Sequence, residues 1–131
     1  MRTVLLIESE KLLMHLYTTL LEGCGFRVYT AISGGEAIKL FNNNRPQVVV
    51  LCIKLEDIGG TEVLERLKAI DSSIPVILNS VYDYKWYKSD PCILLADDCL
   101  MKSPDVSGLL SKVKQYALKS NLLAEQYVNT V

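Results

Sequence analysis

Four consecutive apolar residues, Val48-Val49-Val50-Leu51, leave a strand no polar face, so a strand built from them has to be covered on both sides. Sheets covered on both sides are parallel, with helices as crossovers, and the flanking sequence supplies such helices. Val4-Leu5-Leu6-Ile7 is a first apolar run, closed by Glu8-Ser9-Glu10. Leu12, Leu13, Leu16, Leu20 and Leu21 then recur at helical spacing up to Gly23 and Gly25. Phe26-Arg27-Val28-Tyr29 alternates as an edge strand does, and Ser33-Gly34-Gly35-Glu36 has capping-box spacing. The helix it opens, with Ala37, Ile38, Leu40 and Phe41, should stop near Asn42-Asn43-Asn44.

Beyond the central strand, a loop through Glu56-Asp57-Ile58-Gly59-Gly60 leads to a helix carrying Val63, Leu64, Leu67 and Ile70. Pro75-Val76-Ile77-Leu78 is a further buried strand. Residues 81 to 95 should cross over, with Pro91 interrupting or shortening the fourth helix, to a short last strand Cys99-Leu100-Met101. Ser103-Pro104-Asp105 then caps a final helix with Val106, Leu109, Leu110 and Val113. Five strands alternating with five helices through right-handed crossovers predict a doubly wound α/β domain, with its crevice at the carboxyl ends of the strands.

The chain has 131 residues, room for one domain. A net charge of −1 argues against direct nucleic-acid binding through a basic footprint. The first apolar run is too short for a signal peptide or a membrane helix, so a cytoplasmic location away from the membrane is expected. The four cysteines, at 24, 52, 92 and 99, form no C-x-x-C pair, and His15 is the single histidine, so no zinc spacing is present. His15 lies among leucines, and no phosphotransfer role is assigned to it.

The strand ends place Glu8, Ser9 and Glu10, then Cys52, then Ser80, then Lys102 around the crevice. In that order and at those separations the chain resembles the receiver domain of two-component response regulators over about residues 3 to 118. The resemblance implies a flavodoxin-like (βα)5 fold with strand order 2-1-3-4-5, a receiver domain over residues 1–119 and a helical extension or linker remnant over 120–131.

The departures from that family carry the functional reading. V-L-L-I-E-S-E supplies Glu8 at the first acidic position but Ser9 at the second. V-V-V-L-C-I-K-L-E-D-I-G-G puts Cys52 at the phosphoacceptor position, Glu56 at the family's proline and Gly59 at its aspartate. P-V-I-L-N-S-V retains the hydroxyl switch residue as Ser80. L-A-D-D-C-L-M-K-S keeps the lysine as Lys102, with Cys99 at the aromatic switch position and Ser103 where a proline, usually in a cis bond, is expected.

An acyl phosphate needs a carboxylate nucleophile, and hard Mg²⁺ needs oxygen ligands, so Glu8 and Cys52 mark a vestigial metal site. Mg²⁺ binding is expected to be weak or lost, and no cofactor is expected. Lys102 is free to pair with Glu8 and fix one conformation. The expectation is a non-enzymatic signalling module that works by phosphorylation-independent protein contacts. Two alternatives stay open: a thiol-based redox sensor using Cys52, with Cys99 as a second responsive thiol on an adjacent part of the crevice, or a true phosphoreceiver with an unusual acceptor such as Glu56 or Asp57. A phosphocysteine enzyme is disfavoured, because no arginine or glycine-rich cradle follows Cys52 before Gly59-Gly60.

Tyr84, Trp86 and Tyr87 gather in the fourth-helix region, where they either cover the sheet edge or contact a partner. The family's interaction face of fourth helix, fifth strand and fifth helix favours the second reading, with another protein or a second copy of the chain as partner.

Overall fold

The structure, a computed structural model, describes residues 2–55, 57–80 and 94–130, with 120–130 described by backbone alone. The elements run β1 (Thr3–Ile7), α1 (Lys11–Gly23), β2 (Arg27–Ala31), α2 (Gly34–Asn44), β3 (Val48–Cys52), α3 (Gly60–Ile70), β4 (Val76–Ser80), β5 (Asp98–Met101) and α4 (Ser107–Thr130). All strand pairs are parallel and the sheet order is β2-β1-β3-β4-β5, as the resemblance implies. Residues 81–93 of the crossover between β4 and β5 lie outside the described residues, so the expected fourth helix and its Pro91 fall there and the helix after β5 is α4.

Strand alternation splits the apolar side chains into two cores. Leu5, Ile7, Val49, Leu51, Val76 and Leu78 pack with Ala37 and Phe41 of α2 and with Val63, Leu64 and Leu67 of α3. Val4, Leu6, Val48, Val50 and Ile77 pack on the opposite face with Tyr17 and Leu21 of α1 and with Leu109, Val113 and Ala117 of α4. Every residue of β3 is buried, as a strand without a polar side must be.

α1 forms where its leucine spacing predicts, but Tyr17 and Leu21 turn inward while Leu12 is 87% exposed and Leu16 44%. α2 opens on Ser33, whose Oγ accepts from the Glu36 amide at 3.2 Å. α4 begins later than Ser103-Pro104-Asp105 suggests, because Asp105 Oδ1 accepts the Ser107 N–H at 3.0 Å and Asp105 N–H bonds Ser103 Oγ at 3.2 Å. Those three residues form the turn ahead of the helix.

Candidate functional site

The parallel order brings the ends of β1, β3, β4 and β5 together, and with them Glu8, Cys52, Ser80 and Lys102. Glu8 is only 1% exposed, and its carboxylate is taken at both oxygens. Oε1 meets Lys102 Nζ at 2.8 Å, and Oε2 accepts the Glu10 N–H at 3.0 Å. Lys102 is held from behind by its own backbone, whose N–H donates to Ser80 O at 2.6 Å. Burial works against its charge, but the hydrogen bond to Glu8, with Cys52, Glu8 and Glu10 around it, keeps the ammonium's pKa above its ordinary value. The ion pair that the spacing suggested is therefore present.

Cys52 is buried at the end of β3. Lys102 Nζ donates toward its Sγ at 3.7 Å, and the thiol in turn faces Lys54 O at 3.5 Å. Cys99 is half-buried on β5, in register with Leu78, and packs against the α2/α3 core. Cys52 is in phase with Val48 and Val50, on the α1/α4 side. The two thiols thus sit on opposite faces of the sheet, which corrects the expectation that they share adjacent parts of one crevice. Burial, then the charge of Asp98, pushes the Cys99 thiol's pKa up. Ser80 is buried at the end of β4, whereas Ser9 is half-buried and Glu10 exposed.

Asp57 has a role that sequence reading missed. Its Oδ1 accepts the Gly34 N–H at 2.8 Å and its Oδ2 the Gly35 N–H at 2.9 Å, so it clamps the β3–α3 loop onto the start of α2. These bonds, that to Gly35 foremost, lower its carboxyl pKa to about 2. The loop is also fixed at Gly60, where an added Cβ would lie 2.5 Å from Ile53 Cα and 2.7 Å from Cys52 O. The visible signal for both was the Gly-Gly pairs at helix starts, which admit such close approach. Glu56, Tyr84, Trp86 and Tyr87 lie outside the described residues.

The donors do not suit Mg²⁺. It takes oxygen ligands in near-octahedral geometry, whereas Glu8 is already bonded at both oxygens and Cys52 offers sulfur. Among the described residues no three histidine, cysteine, aspartate or glutamate side chains converge as a metal set. None of the helices, so far as described, is long and apolar enough to cross a membrane.

Residues 4–114 match the family model of the response regulator receiver domain. Sporulation initiation phosphotransferase F of Bacillus subtilis is 28% identical over 119 residues, covering 90% of this chain and 96% of that protein. The probable transcriptional regulatory protein TcrX of Mycobacterium tuberculosis is 35% identical over 81 residues, covering 62% of this chain. The match takes in only 35% of TcrX, so the chain spans about a third of that regulator's length. Among solved structures, the response regulator protein TrrA of Thermotoga maritima in complex with Mg(2+)-BeF superposes with a TM-score of 0.83. It is 29% identical, with 88% of this chain and 99% of that one covered. TrrA is also similar, at a TM-score of 0.80, as solved in complex with the histidine kinase ThkA.

Proposed function

We propose that this chain, which belongs to the response regulator receiver domain family, signals through protein contacts made from one standing conformation, without taking a phosphoryl group at Cys52. The observation that carries the reading is the buried pair of Glu8 and Lys102 at 2.8 Å, with Cys52 beside it. A cation that would otherwise balance an incoming phosphoryl group is already neutralised, and the nucleophile opposite it is a thiol. With the Glu8 oxygens engaged, Mg²⁺ binding is weak. Asp57 is a poor substitute acceptor, since its two oxygens hold Gly34 and Gly35.

On this reading the chain is not an enzyme, acts in the cytoplasm and has a protein for a partner. The histidine kinase complex of TrrA supports the class of partner. A surface that suits it is the shallow apolar groove of about 310 Å³ lined by Leu13, Leu16, Pro104 and Val106, beside the exposed Leu12. The segment carrying Tyr84, Trp86 and Tyr87, which lies outside the described residues, is the other candidate, for a partner or a second copy.

The test is intact-mass spectrometry after incubation with acetyl phosphate and Mg²⁺. No added phosphoryl mass is expected, and stoichiometric addition would refute the reading and call for mapping of the acceptor. One observation favours a second reading, a thiol sensor: the ammonium of Lys102 lies 3.7 Å from Cys52 Sγ, the kind of cationic neighbour that reactive cysteines have. Fast labelling of native Cys52 by a thiol reagent, slowed in Lys102→Ala, would favour it.

A further inference from the structure

Cys52 puts a nucleophilic sulfur at the end of β3, where a chain that takes no phosphoryl group gives it no task. Two hydrogen bonds fix what lies around that sulfur. Its own S–H points at Lys54 O, 3.5 Å away, and the Lys102 ammonium donates toward Sγ at 3.7 Å. The same ammonium is bonded to Glu8 Oε1 at 2.8 Å, so sulfur, nitrogen and carboxylate stand in one row. All three groups are buried, Cys52 at 4% exposed, Glu8 at 1% and the Lys102 side chain at 9%.

An oxidised cysteine is resolved by a nucleophile close to it, a second thiol or a nitrogen. Neither of the other described thiols is placed for this. Cys99 lies across the sheet on the α2/α3 face, and Cys24 sits in the turn before β2, at the opposite end of the strands. The nitrogen of Lys102 is therefore the nucleophile at hand. The groove of about 310 Å³ described above is lined in part by Lys102, which brings solvent, and an oxidant the size of water, up to the neighbour of the sulfur.

We propose that Cys52 and Lys102 form a reversible sulfur–nitrogen cross-link when a peroxide oxidises the thiol. This rests on the thiol-sensor reading and names its product. Hydrogen peroxide takes the thiol to a sulfenic acid, two electrons passing from sulfur to the peroxide and one water leaving. The Lys102 ammonium gives a proton to Glu8 Oε1, and the freed amine attacks sulfur. The S–N bond forms as the S–O bond breaks, and the hydroxyl leaves as water with a second proton from the nitrogen. A neutral sulfenamide then stands beside a neutral Glu8 carboxyl, so the ion pair is lost without stranding a buried charge. Two equivalents of a thiol reductant restore the thiol and the amine as the reductant becomes a disulfide, and Glu8 returns its proton to the amine. Closing Nζ onto Sγ from 3.7 Å draws Lys102 off Glu8, and Lys102 lines the groove together with Ser103 and Pro104. A partner seated there meets a different surface in the oxidised chain.

The probe is hydrogen peroxide on the native chain, followed by protease digestion and tandem mass spectrometry with and without dimedone, which traps sulfenic acids. The expected product is a pair of peptides joined at Cys52 and Lys102, lighter by about 2 Da than their reduced sum because two hydrogens are lost, and separated again by dithiothreitol. Lys102→Arg keeps a cation beside Glu8 but offers a guanidinium in place of an amine. In that variant the joined pair should vanish and trapping of Cys52 by dimedone should rise severalfold. The native chain decides the matter alone if the variant does not fold. Dimedone-trapped Cys52 with no joined pair would overturn the cross-link and leave the thiol sensor standing, as would a link from Cys52 to Lys54 or to another cysteine. A Cys52 that peroxide leaves unmodified would overturn both.

Discussion

At the residue scale, the crevice turns on one buried ion pair. Removing a single partner of such a pair leaves an uncompensated buried charge, so Lys102→Ala should cost about 3 to 5 kcal/mol, read as a lower denaturation midpoint. The double variant Glu8→Gln, Lys102→Met should recover most of that loss, because it removes both charges at similar volume. The raised pKa of Lys102 also sets a sign for pH. Its contribution is complete below the unfolded-state value of 10.5 and is lost as pH rises through the higher folded-state value, so alkaline unfolding should be steeper in the native chain than in the double variant. Asp57 has the opposite sign. Its contribution is present above 3.8 and is lost as pH falls toward about 2. Thermal melts from pH 5 to pH 2 should therefore show a weaker acid dependence in Asp57→Asn. An unchanged slope would mean that the Gly34 and Gly35 bonds contribute nothing.

At the element scale, the sequence was most readable where one physical requirement dominates. The run from Val48 to Leu51 suits a doubly covered strand, and all of β3 is buried. Strand-end spacing was equally informative, since it put Glu8 and Lys102 in one crevice where the two could pair. α1 was harder, because its leucines occur on more than one side of the helix and periodicity alone does not say which side faces the sheet. Tyr17 packs inward while Leu12 stays outside, a choice made by the neighbouring α4 and sheet rather than by local pattern. Asp57 was illegible for a related reason, since it acts on an amide pair 22 or 23 residues away. The approach of α3 to β3 is open to a direct test. Gly60→Ala drives a Cβ into the backbone of Ile53 and Cys52, which cannot swing aside as a side chain can. A loss of about 1 to 3 kcal/mol is expected, with amide shifts centred on Cys52 and Ile53, and a neutral result would mean the loop is looser than described.

At the scale of the whole molecule, two cores on either side of one parallel sheet hold the strand ends in fixed relation. The crevice inherits that rigidity. β4 and β5 are tied at the far end as well, where Asp97 Oδ2 accepts from both Lys68 Nζ and the Val76 N–H at 2.8 Å. Tyr116 of α4 donates to Asp97 O at 2.9 Å, linking the last helix to the residue just ahead of β5. On the proposed reading, a receiver built this way, with its lysine and first acidic residue already paired, offers a partner a preset surface. The account predicts that a phosphoryl mimic has nothing to add. The most direct measurement is an amide NMR titration of the native chain with Mg²⁺ and beryllofluoride, followed at Cys52, Ser80 and Lys102. Unmoved resonances at these positions are the predicted result; saturable, coordinated shifts there would contradict a crevice fixed by Glu8 and Lys102.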